Sequence, residues 1–246
     1  MSSLLRRAAR KLKRLVVDPP PPSVRASIAA WYLQGVGLEI GALHNPLEVP
    51  PDATVRYVDR MPVSQLREQY LELADLTLVP VDIIDDGEVL SSVADDSQDF
   101  VITNHMIEHC RNPLATLKNL LRVLKPNGVL YLAVPDKRYT FDRDRPLTPL
   151  NHLLRDYEEG PDWYGVMHYQ EWASLVDKVP EEKVPAAVQS LLERDYSIHF
   201  HVWDQITFLE MLIHCRKCLG FPFEIELGRK NDTEFITVLR KESARN

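Results

Sequence analysis

His105, Glu108 and His109 stand in the run Asn104-His-Met-Ile-Glu-His109, an H-x-x-E-H pattern of two imidazoles and one carboxylate. On a helix, positions i, i+3 and i+4 share a face, so these side chains would converge as ligands for a divalent cation or as a general base with its partners. The plainer alternative is that Glu108 only favours a helix N-terminus. Further on, Ile-His199-Phe-His201-Val-Trp places two histidines at the spacing that shares one strand face. That face either lines a site or carries a structural histidine pair. His44 shapes a turn, and His152 and His214 read as surface or packed residues.

Strand-like runs at 36–40, 55–58, 77–81, 99–103 and 128–134 must position these groups, with helical stretches between them at 64–73 and 113–124. This alternation predicts an α/β chain with a mostly parallel sheet and helices on both faces. Ser23 is placed to cap a helix over 24–33, and 208–219 has a helical pattern. Two late runs, 222–227 and 234–241, form a terminal hairpin that brings one antiparallel strand into the sheet. Glu39-Ile-Gly41 ends the first strand, Asp59 the second and Asn104 the fourth; Asp82 follows the third and Asp136 the fifth. Open α/β sheets bind ligands at such tips. Gly41 allows close approach of the backbone, and Asp59, eighteen residues on, suits the ribose hydroxyls of a nucleoside.

The 246 residues, 45% of them hydrophobic, suffice for one substantial core. Net charge is −7, and with six basic residues in the first fourteen the remainder carries −13, which argues against nucleic acid as a partner. Residues 3–16 would form a basic amphipathic helix, either in weak contact with an anionic membrane or docked on the acidic body; four prolines at 19–22 follow as a stiff spacer. No run reaches membrane-spanning length and no secretion signal is visible, so a cytoplasmic protein is expected. Three cysteines cannot build a disulfide framework, and Cys215-x-x-Cys218 reads as helix packing. The chain divides into a basic helix and linker (1–22), a nucleoside-binding core (23–136), an aromatic-rich insertion (137–202), and a helix and hairpin that complete the core (203–246). Oligomeric state is left open.

The order of strand tips, followed by Leu-Lys-Pro-Asn-Gly128 after a helix, resembles class I S-adenosylmethionine-dependent methyltransferases of the type 11 kind, whose fold is a Rossmann-like sheet. G-x-G-x-x-G is absent, which disfavours a nicotinamide enzyme. The resemblance implies S-adenosylmethionine as cofactor. Glu39, Gly41 and Ala42 would border its methionine and ribose, Asp59 with Arg60 would hold the ribose, Asp82 with Ile83 would flank adenine, and Asn104 would face the methionine. Where the family often has glycine this chain has Leu43 and Asn45, and Asn45 tolerates the left-handed conformation. The H-x-x-E-H run resembles the E-x-x-E-H metal motif of small-RNA 2′-O-methyltransferases and ubiquinone-pathway O-methyltransferases. That implies a divalent-cation site (magnesium, manganese or zinc) of His105, Glu108 and His109, completed by His168, His199 or His201. Without a metal, His109, His168 or Asp136 would serve as base.

Asp136-Lys-Arg-Tyr-Thr-Phe-Asp142 and His199-Phe-His-Val-Trp203 also resemble bacterial glycan O-methyltransferases, such as those of mycobacterial methylmannose and methylglucose polysaccharide synthesis. The expected reaction is therefore methylation of a sugar or oligosaccharide hydroxyl. A small phenolic, quinone or lipid acceptor served by a His or Asp base is the alternative, and a binding module that senses the cofactor without chemistry is a third. Tyr139, Trp163, Tyr164, Tyr169 and Trp172 would either cover sugar faces or form the insertion's own core.

Overall fold

The apolar runs in 98–104 and 124–135 carry bulky residues on both faces, as strands must in a sheet covered from both sides. The computed structural model describes residues 23–70, 73 and 75–243; the basic N-terminal helix and proline spacer expected at 1–22 lie outside them. The two runs form β4 (Gln98–Asn104) and β5 (Leu124–Pro135) at the centre of a seven-stranded sheet. β1 (Gly35–Ile40), β2 (Ala53–Asp59) and β3 (Ile83–Ile84) continue it in parallel on one side. On the other lie β7 (Glu234–Lys241), antiparallel to β5, and β6 (Phe223–Asn231), antiparallel to β7. The order β3-β2-β1-β4-β5-β7-β6 is the expected Rossmann-like sheet, mostly parallel with one reversed strand in the terminal hairpin.

Helix starts follow local chemistry. Ser23 Oγ accepts from Ala26 N (3.1 Å) at the head of α1 (Val24–Tyr32). α2 (Val63–Gln69) is shorter than the pattern at 64–73 suggested. Asn112 Oδ1 accepts from Ala115 N (3.1 Å) and Pro113 occupies the first turn of α3 (Pro113–Val123). The insertion supplies α4 (Leu150–Glu159), α5 (Gly165–Glu171), a π turn at Trp172–Val176, and α6 (Val184–Glu193). It packs a small core of its own around Tyr169, Val188, Ile198 and Phe200, while Leu153 of α4 belongs to the main core. An Asp204/Thr207 capping box opens α7 (Gln205–Lys217); Cys215 is buried within it, Cys218 is exposed at its end, and neither is in a disulfide. No helix among the described residues is long and apolar enough to cross a membrane.

The third strand differs from expectation. Residues 77–81 do not pair with β2; Val79 N donates to Leu43 O (2.8 Å), and Pro80 has no N–H to give a ladder. Pairing begins only at Ile83, opposite Val58. Asp82 therefore precedes β3 instead of following it.

Gly37 on β1 shows how tightly the sheet is covered. A Cβ there would overlap both the ring and the carbonyl of Phe100 on β4. Gly37→Ala is expected to destabilise the protein by about 3 kcal/mol, at the severe end of overpacking, read from the urea midpoint at unchanged m-value.

Candidate active site

The carboxyl ends of β1, β2 and β4, with the loop after β3, open onto a cavity of about 920 Å³, roofed by the insertion. Gly41 (φ +67°) turns the chain out of β1, and a Cβ placed on it meets nothing within 4 Å. The empty space beside it is the cavity, so this glycine serves both the backbone and close approach of a ligand. Leu43 (φ +51°) takes the left-handed position that the sequence suggested for Asn45. The 42–45 turn, closed by Asn45 N donating to Ala42 O (2.9 Å), forces it there, at about 1–2 kcal/mol for a residue with a Cβ.

Asp59 sits at the tip of β2 in the cavity wall, its Oδ1 accepting from Arg60 N (2.8 Å). Burial raises its pKa, against the pull of Arg60. Arg60 also lines the cavity and donates to the Tyr70 hydroxyl (2.9 Å). Asp82 and Ile83 do not line it: Asp82 Oδ2 accepts from Tyr57 N (2.8 Å), and the late start of β3 brings Asp86 and Gly87 to the wall instead. Glu39, Ala42 and Asn104 stand behind the wall. The Glu39 carboxylate is fully buried and accepts from Leu47 N (3.0 and 3.1 Å) and Asn104 Nδ2 (3.2 Å), so it anchors the 41–47 loop. Burial, only partly countered by these bonds, raises its pKa to about 7.

The H-x-x-E-H run does not form the expected helix. His105 is left-handed (φ +51°), and only Ile107–His109 coil, as one 3₁₀ turn. His105 therefore leaves the shared face and bonds Glu234 through Nε2 (2.7 Å), with Nδ1 3.7 Å from Glu108 Oε1. Burial disfavours its charged form, but Glu234 and Glu108 outweigh that and raise its pKa. Glu108, His109 and His199 instead present ligand atoms within 4.8 Å of one another. His109 uses Nδ1 on Ile198 O (2.9 Å) and Ser197 Oγ (3.0 Å); His199 uses Nδ1 on Asp142 Oδ2 (2.6 Å). Each histidine is thus oriented through Nδ1, as metal-bound imidazoles are, leaving Nε2 free. Both Glu108 oxygens are buried without a hydrogen-bond partner. Burial, and next His199, lower the His109 pKa to about 3, while burial raises that of Glu108. Asp142 is pushed up by burial, but His199 and Arg145 bring it below the usual carboxylate range.

Other candidates are not brought here. His168 and His201 lie in a separate cluster with His152. The 198–203 segment is irregular, not a strand; Phe200 N and His201 N both donate to Glu108 O (2.8 and 3.2 Å), which sends His199 and His201 to different clusters. Asp136 is buried outside the cavity lining and is clamped by Arg138 Nε (2.9 Å) and Nη2 (2.6 Å). Against the effect of burial, Arg138 holds its carboxyl low, which makes it a poor base. Of the insertion's aromatics, Trp172 and Tyr169 line the cavity, joined by Phe141, whose ring is 5.6 Å from Trp172 and 4.8 Å from His199. Trp163 and Tyr164 surround His152, and Tyr139 is an exposed stacking partner of Lys230. Sequence reasoning missed Asp142, Arg145 and His152 as parts of polar clusters; the i, i+3 spacing of Asp142 and Arg145 was the available signal.

A family model described as a methyltransferase domain matches residues 37–179. No curated protein matches the chain. Among solved structures, a Rhodobacter sphaeroides protein provisionally named a zinc-dependent alcohol dehydrogenase is similar over 91% of this chain and 92% of its own, at TM-score 0.56 and 15% identity. A SAM-dependent methyltransferase from Aquifex aeolicus is similar over 87% and 86%, at TM-score 0.45 and 12% identity. Another from Thermotoga maritima is similar over 99% and 100%, at TM-score 0.46 and 15% identity. With the family matched over more than half its length, this chain belongs to the methyltransferase-domain family and is an S-adenosylmethionine-dependent methyltransferase.

Proposed function

We propose that the protein methylates a hydroxyl of a sugar or oligosaccharide, with a divalent cation held by Glu108, His109 and His199. The observation that carries the reading is the buried Glu108 carboxylate: both oxygens lack a partner, and two imidazoles with engaged Nδ1 atoms stand beside it. S-adenosylmethionine would supply an activated methyl group, and the cation would lower the pKa of an acceptor hydroxyl. The chain's own groups fit both. Gly41 leaves room for a nucleoside, and Asp59 offers a carboxylate to ribose hydroxyls. His109 and His199 keep Nε2 lone pairs available, and Phe141 with Trp172 forms a wall suited to the apolar face of a sugar. Two imidazoles and one carboxylate suit manganese or zinc better than magnesium, which prefers an all-oxygen shell.

Asp59→Ala is expected to weaken S-adenosylmethionine binding about 10- to 100-fold by calorimetry, the loss of charge-assisted hydrogen bonds to two hydroxyls. The acceptor is tested with radiolabelled methyl donor against mono- and oligosaccharides and simple phenols, with and without chelator. Label on a sugar hydroxyl, lost on chelation and restored by manganese, supports the proposal. Chelator-insensitive label on a phenol would establish the metal-free alternative.

A further inference from the structure

His152 on α4, His168 on α5 and His201 in the 198–203 segment offer ring nitrogens within 4.8 Å of one another. Their rings meet near right angles, with centroids 5.2 to 5.6 Å apart. One turn after His152, Asp156 adds a fully buried carboxylate whose Oδ2 lies 3.4 Å from His152 Nε2 and 3.6 Å from His201 Nε2. His152 Nε2, His201 Nδ1 and Asp156 Oδ2 all lack a hydrogen-bond partner. Each such orphan costs about 1–3 kcal/mol, and three in one cluster demand an explanation.

Three imidazoles form a zinc donor set, with the Asp156 carboxylate beside two of them. Supporting partners are also in place. Trp163 Nε1 donates to Asp156 Oδ1 (2.7 Å), and His201 Nε2 faces Arg111 O (3.3 Å), leaving Nδ1 free. None of the four lines the cavity at Gly41 and Asp59.

We propose that His152, His168 and His201, with Asp156 beside them, form a zinc site, separate from the Glu108 cluster, that ties α4 and α5 to the 198–203 segment. This staple also sets the active site: holding His201 in one cluster keeps His199, two residues earlier, in the other.

The test uses the full chain as wild type, Glu108→Gln, and Glu108→Gln combined with His168→Ala or with His152→Ala. The half-buried His152 provides the second variant should His168→Ala fail to fold. After chelation and zinc reloading, Glu108→Gln is expected to retain about one zinc per chain by mass spectrometry. Its melting temperature should rise by roughly 10 °C over the chelated form, and its cobalt derivative should show tetrahedral visible bands. Both double variants should lose the metal, the shift and the bands. A Glu108→Gln protein that takes up no zinc, or zinc content and cobalt bands untouched by His152→Ala and His168→Ala, would overturn the proposal.

Discussion

Glu108→Gln is expected to reduce turnover about a thousandfold or more while leaving the S-adenosylmethionine dissociation constant within about threefold, with single-turnover rates and calorimetry as the paired measurements. The separation follows from position. His105, His109 and His199 line the cavity while Glu108 lies behind them, and Gly41 and Asp59, which would hold the nucleoside, come from other strand tips. The same substitution should stabilise the metal-free protein. Burial raises the Glu108 pKa above its unfolded value, so its contribution is fully favourable only below the unfolded pKa of about 4.3 and is lost as pH rises through the folded pKa. Metal-free wild type should therefore lose stability across that interval, and the glutamine variant should not share the loss. A variant less stable than metal-free wild type at pH 8 would mean that the carboxylate is satisfied in a way the structure does not show.

Arg145→Met is expected to cost about 3–5 kcal/mol, the second large effect, read from urea unfolding. The guanidinium is 1% exposed and donates to Asp142 Oδ1 (2.8 Å), Glu171 Oε1 (2.7 Å) and Phe200 O (3.5 Å). Its removal strands a buried carboxylate rather than merely deleting a contact. Asp142 is the residue that orients His199, so the damage should reach the active site. Asp142→Asn in the same chain should recover part of the stability by removing the stranded charge, but not the activity. The pH signature runs opposite to that of Glu108. With its folded pKa depressed, Asp142 contributes stability above its unfolded pKa of about 3.9, lost as pH falls through the folded value. Arg145→Met should flatten that acid limb.

Much of the architecture was legible from local chemistry. The apolar stretches 100–102 and 129–134 fell within β4 and β5, Ser23 capped the helix placed after it, and Gly41 and Asp59 reached one cavity from two strand tips. These features depend on hydrophobic period, cap chemistry and the parallel-sheet rule, all of which act over a few residues or follow from element order. The third strand was misplaced because Thr77, Leu78 and Val79 have the composition of a strand, while pairing depends on which N–H groups the neighbouring loop leaves free.

The histidines show where sequence stops. His105, Glu108 and His109 were recognisable as chemistry-bearing residues, yet their grouping assumed a helix that a single left-handed residue prevents. His199 and His201 were expected to face the same way, and irregular backbone bonded to Glu108 O separates them. Residue types, strand tips and the family pattern were determined by the sequence itself. The sorting of six histidines between Glu234, the Glu108 set and the Asp156 set was decided only by tertiary structure, because each partner lies on a different element and the backbone torsions that aim the rings are set by packing between those elements.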